Sequence, residues 1–223
     1  MQIIPKKIVI LLLLIITISC GDNDEPIVFT ETNTLEFFQE LDISYGNDSD
    51  QVFDLYLPAN RTANTKVMIL IHGGGWTSGD KVEMNDFKNF ILQNIPDIAV
   101  VNMNYRLADN TTQAYPMQIN DITSVVNYLK TKQNEYVISN ELGFIGVSAG
   151  AHLSMLWSYA FDTDNQTNMV CSIVGPTNFT DPAYLESTNP ILQEILDVYG
   201  VDATIEFLEE VSPFHQVTAS APP

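Results

Sequence analysis

Apolar and polar residues alternate through Leu41-Asp42-Ile43-Ser44-Tyr45 and again through Gln51-Val52-Phe53-Asp54-Leu55-Tyr56-Leu57. Between the two runs lies Gly46-Asn47-Asp48-Ser49-Asp50, a cluster of turn formers. A period of two with a turn between predicts an antiparallel hairpin, and Pro58 ends its second strand. The pattern then changes. Val67 to Ile71 and Ile98 to Val101 are continuous apolar runs, as in strands covered on both faces of a parallel sheet. A helical stretch runs from about Val82 to Gln93. From Met117 to Lys132 the apolar positions Ile119, Ile122, Val126 and Leu129 recur at spacings of three and four, which marks an amphipathic helix. Leu142 to Val147 reads as a strand, Ala149 to Tyr159 as a helix, Met169 to Val174 as a further strand. Pro190 to Val211 reads as helix broken at Gly200. Strand and helix alternating at this pitch predict an α/β fold: a doubly wound, mostly parallel sheet with an antiparallel N-terminal hairpin.

The 223 residues suffice for one domain with a full core. There are 28 acidic and 9 basic residues, a formal charge of −19. Such a field repels phosphate backbones, so no nucleic-acid partner is expected. At the N-terminus, Lys6 and Lys7 precede the apolar run Ile8 to Ile18, which is too short to span a bilayer and reads as a signal peptide over residues 1–19. Cys20 directly after it resembles the lipidated cysteine of a bacterial lipoprotein, although Thr17-Ile18 departs from that motif. The resemblance implies a membrane partner through a lipid anchor, at the outer membrane and facing the cell surface. An ordinary secretory signal with an incidental cysteine is the alternative. Residues 20–36 read as a flexible acidic linker, and residues 37–223 as the folded domain. Cys171, within Met169-Val170-Cys171-Ser172-Ile173-Val174, reads as a small buried hydrophobe with no disulfide partner.

The chemistry concentrates at two glycine-rich turns, each following a strand. Gly146-Val147-Ser148-Ala149-Gly150 sits between an apolar strand and a helix, where a sharp turn tolerates no side chain at the flanking glycines. A glycine turn with a capping serine is the plain alternative. His72-Gly73-Gly74-Gly75-Trp76 follows the strand ending at Ile71, and successive glycines there leave N–H groups able to face an oxyanion. Together with Asn104-Tyr105-Arg106-Leu107-Ala108, these phrases resemble the esterase/lipase branch of the α/β-hydrolase superfamily. The likeness is greatest to bacterial feruloyl- and acetyl-esterase-like (BD-FAE-like) enzymes and the arylformamidase-like enzymes near them.

The resemblance implies Ser148 as nucleophile, with an oxyanion hole from the N–H groups of Gly74, Gly75 and Ala149. It makes His72 structural beside Gly146 and Gly150, with Trp76 and Tyr105 lining or supporting the cleft. Arg106 reads as an ion-pair partner of Asp121, and Asp181 as a turn former before Pro182. The implied substrate is a small or polysaccharide-linked ester of acetyl or feruloyl type, cleaved through an acyl-enzyme. No His, Cys or Asp cluster has metal-ligand spacing, so neither metal nor cofactor is expected.

A serine nucleophile needs a histidine base and an acid that orients it, in this fold later in the chain than the serine. The chain holds three histidines. His72 belongs to the glycine loop, His152 lies four residues along the serine's own helix, and His215 comes before any further strand. The expectation is a hydrolase truncated at its C-terminus, lacking the catalytic acid and base and on the order of 60 residues. Such a chain would expose the strand Met169 to Val174 as an edge, along with Ile191, Ile195 and Leu208. The alternatives are a hydrolase using His215 with Asp181 or Asp202, an arylformamidase-like amide hydrolase, and a non-catalytic binding lipoprotein on a hydrolase scaffold.

Overall fold

Strands that are apolar on both faces take the middle of the sheet, and the half-polar hairpin takes one side. The computed structural model describes residues 35–190, 192–193, 198 and 204–223. Its sheet has six strands in the order β1-β2-β4-β3-β5-β6. They are β1 (Phe38–Ser44), β2 (Val52–Leu57), β3 (Val67–Ile71), β4 (Ala99–Met103), β5 (Leu142–Val147) and β6 (Thr167–Ile173). β2 runs antiparallel to β1 and β4, and β3 to β6 are mutually parallel. All five residues of β3 and all five of β4 are buried, as apolar side chains on both faces require, and the one polar member, Asn102, donates to the Lys81 carbonyl at 2.7 Å.

The two faces carry separate cores. Phe53, Leu55, Ile69, Ile71, Val101, Met103 and Phe144 pack with Ile119, Ile122, Val126 and Leu129 of α2 (Met117–Tyr136) and with Leu153 and Leu156 of α3 (Ala149–Leu156). Tyr56, Met68, Leu70 and Val100 on the other face meet Met84 and Ile91. Met84 ends a 3₁₀ turn (Lys81–Met84) that leads into α1 (Asn85–Asn94). α2 runs four residues past its expected end, until Val137 turns left-handed at φ 54°. α3 is buried on every side, then loosens into a π-helical turn, Trp157–Phe161. Three short helices follow: α4 (Pro182–Leu185), α5 (Ile205–Glu210) and α6 (Pro213–Gln216).

Two expectations are corrected. Cys171 is exposed, because β6 is the edge strand of the sheet. Met169 and Val174 are likewise 40% and 80% exposed, as an edge strand implies. Leu208, expected to be exposed, is buried, because α5 folds back onto the main core beside Val211. The signal segment, Cys20, the linker up to residue 34, Ile191, Ile195, the break at Gly200 and Asp202 lie outside the described residues. Among the described residues no helix is long and apolar enough to cross a membrane.

Candidate active site

β5 delivers Ser148 to the carboxyl end of the sheet, and the chain reverses there into α3. Ser148 has φ 51° and ψ −115°, a backbone conformation that only a surrounding structure can hold in a non-glycine residue. Ser148 N–H donates to the Ile173 carbonyl (2.8 Å), and the Ser148 carbonyl accepts from His152 N–H (3.1 Å). Steric crowding explains the flanking glycines. A Cβ on Gly146 would collide with the backbone of Gly150 and Ala151, and one on Gly150 would collide with the carbonyls of Ile71 and His72. That second contact seats the helix directly on the start of the glycine loop. A Cβ on Gly73 would sit 3.2 Å from the Val147 carbonyl and 3.4 Å from Ser148 Cβ, so the loop lies against the serine.

The loop is a tight left-handed turn. Gly74, Gly75 and Trp76 have φ of 105°, 56° and 63°. The Gly74 carbonyl accepts from Thr77 N–H (3.2 Å), Ser78 N–H (3.0 Å) and Ser78 Oγ (2.8 Å). No acceptor among the described residues takes the N–H groups of Gly74, Gly75 or Ala149, nor any partner the Ser148 hydroxyl. A half-buried hydroxyl and uncommitted N–H donors therefore share one place, the arrangement that nucleophilic attack with oxyanion stabilisation requires.

The histidines do other work. His72 is fully buried, its Nδ1 donating to the Gly73 carbonyl (2.7 Å) and its ring stacked on Tyr105 at 4.3 Å. Burial lowers its pKa, so it braces the loop as a neutral ring. His152 accepts at Nδ1 from the Trp76 indole (3.3 Å) and donates from Nε2 to the Val211 carbonyl (2.7 Å). Burial pushes its pKa down to about 4. His215 Nε2 meets the Thr180 hydroxyl at 2.9 Å, and the Asp181 carboxylate caps α4 through Ala183 N–H (2.8 Å). Among the described residues neither is hydrogen-bonded to the Ser148 hydroxyl or to the other.

Supporting contacts surround the loop. Arg106 forms the ion pair with Asp121 (2.6 Å), which is fully buried and also accepts from Gln51 Nε2 (2.9 Å). Sequence reasoning missed Gly79 and Gln118. Gly79, at φ 104°, packs against the His72 ring three residues past the glycine-loop motif that ends at Trp76. Gln118 lies four residues before Ile122, a polar residue on an apolar helical stripe, and that was its only signal. Among the described residues no group of three or more His, Cys, Asp or Glu side chains could hold a metal.

The sheet, the strained serine turn and the glycine loop define an α/β-hydrolase fold. A match to the BD-FAE family extends over residues 53–223, and the chain belongs to that family. Over 99 residues it is 31% identical to versiconal hemiacetal acetate esterase of Aspergillus parasiticus, covering 44% of this chain and 29% of that enzyme. Solved structures share the fold. A bifunctional GH43-CE protein of Bacteroides eggerthii has a TM-score of 0.65 at 22% identity, over 82% of this chain and 29% of that one. Esterase B of Lactobacillus rhamnosis has a TM-score of 0.64 at 22% identity, over 84% and 64%. The chain thus spans less than two thirds of each of these proteins.

Proposed function

We propose that this protein is a serine carboxylesterase acting through an acyl-enzyme on Ser148. The observation that carries the reading is the meeting of an unpartnered serine hydroxyl, on a strained turn, with a glycine loop whose N–H groups are uncommitted. Ser148 Oγ attacks the ester carbonyl carbon and gives up its proton to a base. The oxyanion is held by the N–H groups of Gly74, Gly75 and Ala149, and the alcohol leaves with the proton. Water then takes the serine's part, releasing the acid and restoring the hydroxyl.

Among the described residues no histidine side chain is hydrogen-bonded to the Ser148 hydroxyl. His72 Nδ1 is committed to the Gly73 carbonyl, both ring nitrogens of His152 to Trp76 and Val211, and His215 Nε2 to Thr180. Short acetyl or feruloyl esters, carried by polysaccharide, are the proposed substrates. Membership of the BD-FAE family supports this, as does an esterase acting on an acetate among the relatives. The protein is further proposed to be exported and anchored by lipid on Cys20.

The test is turnover of p-nitrophenyl acetate by the full-length protein and by Ser148→Ala. The substitution should remove about 10⁶-fold in kcat, and a fluorophosphonate should label Ser148 in the parent alone. Turnover persisting in Ser148→Ala would sink the reading. A folded full-length protein that neither turns over esters nor takes the label would support the binding-lipoprotein alternative.

A further inference from the structure

Gly74, Gly75 and Trp76 form three consecutive left-handed residues. Such a run has no repeating hydrogen bonds of its own, and two of its members are the residue type with most freedom to leave a conformation. It must be held from outside. Two buried side chains grip it on either side of the glycine pair. Before the pair, the Tyr105 hydroxyl lies 3.1 Å from the His72 carbonyl and 3.0 Å from that of Gly73. After it, Gln118 Nε2 donates to the Trp76 carbonyl at 2.7 Å and to the Arg106 carbonyl at 2.8 Å. Ala108 N–H completes the grip on the Trp76 carbonyl at 2.9 Å.

The orientation of the Gln118 amide is forced. Both its partners are carbonyl oxygens, which can only accept, so the NH₂ group must face them. Its Oε1 is left buried with no partner among the described residues. An orphaned acceptor costs stability. An apolar side chain of equal length would avoid that cost, so packing alone gives no reason for a glutamine at this fully buried place. What the amide supplies is a two-pronged tie between the loop after β3 and the loop after β4.

We infer that Gln118 is a positioning residue for the oxyanion hole: by tying the Trp76 and Arg106 carbonyls to one buried amide, it holds the Gly74 and Gly75 N–H groups in register with Ser148. The inference rests on the proposed role of those two N–H groups. Gln118→Met in the full-length protein keeps the length and removes both donors. Its kcat on p-nitrophenyl acetate should fall on the order of 10–100-fold while KM stays within about twofold. Its thermal midpoint should change little, because the orphaned Oε1 is removed while the Arg106 carbonyl loses its donor. In protein with isotope-labelled glycine, amide hydrogen exchange at Gly74 and Gly75 should quicken, with Gly143 unchanged. In Gln118→Glu, protonation of the carboxylate restores one donor, so the deficit against the parent should shrink as pH falls. A Gln118→Met kcat within about twofold of the parent, or unchanged exchange at both glycines, overturns the inference. If the parent turns over no faster than Ser148→Ala, the esterase reading fails instead, and the glycine exchange alone decides the role of Gln118.

Discussion

At the scale of single residues, His152 stays neutral because it is fully buried and both of its ring nitrogens are committed. Its Nε2 proton goes to the Val211 carbonyl, and its Nδ1 lone pair takes the Trp76 indole N–H. Protonation would turn that acceptor into a donor aimed at another donor. The folded pKa of about 4 lies below the ordinary value of 6.5. The unfolded chain therefore takes up a proton between pH 6.5 and 4 that the folded chain refuses. Stability from this group is complete above that window and is lost as pH falls through it, by about 3 kcal/mol in all. His72, also lowered by burial, acts with the same sign. Urea unfolding at pH 7 and pH 4 should show the loss. His152→Gln keeps one donor and one acceptor without the proton uptake, and its stability should vary less across the window.

At the scale of elements, the site is a contact between the start of α3 and the loop leaving β3. Gly150 makes that contact possible, since any Cβ there would strike the carbonyls of Ile71 and His72. Gly150→Ala should therefore destabilise the protein by about 3 kcal/mol or more, as overpacking does, and abolish turnover. Gly75 differs. No atom lies within 4 Å of the place its Cβ would take, and only φ 56° stands against a side chain. Gly75→Ala should cost about 1–2 kcal/mol. Thermal unfolding of the two variants side by side checks the order.

At the scale of the whole molecule, β6 leaves the apolar side chains of Met169 and Val174 at an edge of the sheet. Exposed apolar edges invite association. The chain should bind a hydrophobic dye and self-associate through this edge. Its esterase turnover should be no more than residual, because among the described residues no histidine side chain is hydrogen-bonded to the Ser148 hydroxyl. Turnover of p-nitrophenyl acetate by the 223-residue chain measures this. Cys171, exposed on the same strand, should react readily with a thiol reagent in the folded chain. Lipid attachment has its own check: labelled fatty acid should enter the protein and be absent from Cys20→Ala.

What the sequence by itself determined were features written in neighbouring residues. Unbroken apolar runs made β3 and β4 interior strands, and the spacing of Ile119, Ile122, Val126 and Leu129 made the buried face of α2. Glycines flanking Ser148 and following His72 marked the two turns, because steric exclusion acts over a few bonds. What only the tertiary structure decided depended on partners far along the chain. An apolar run looked the same whether central or at the edge, so Cys171 and Leu208 were misjudged until strand order and the return of α5 were known. Gln118 gained its meaning from carbonyls 42 and 12 residues away, and His152 from Trp76 and Val211, 76 and 59 residues away. Burial and hydrogen-bond partners, which set charge and role, arise only when distant segments pack.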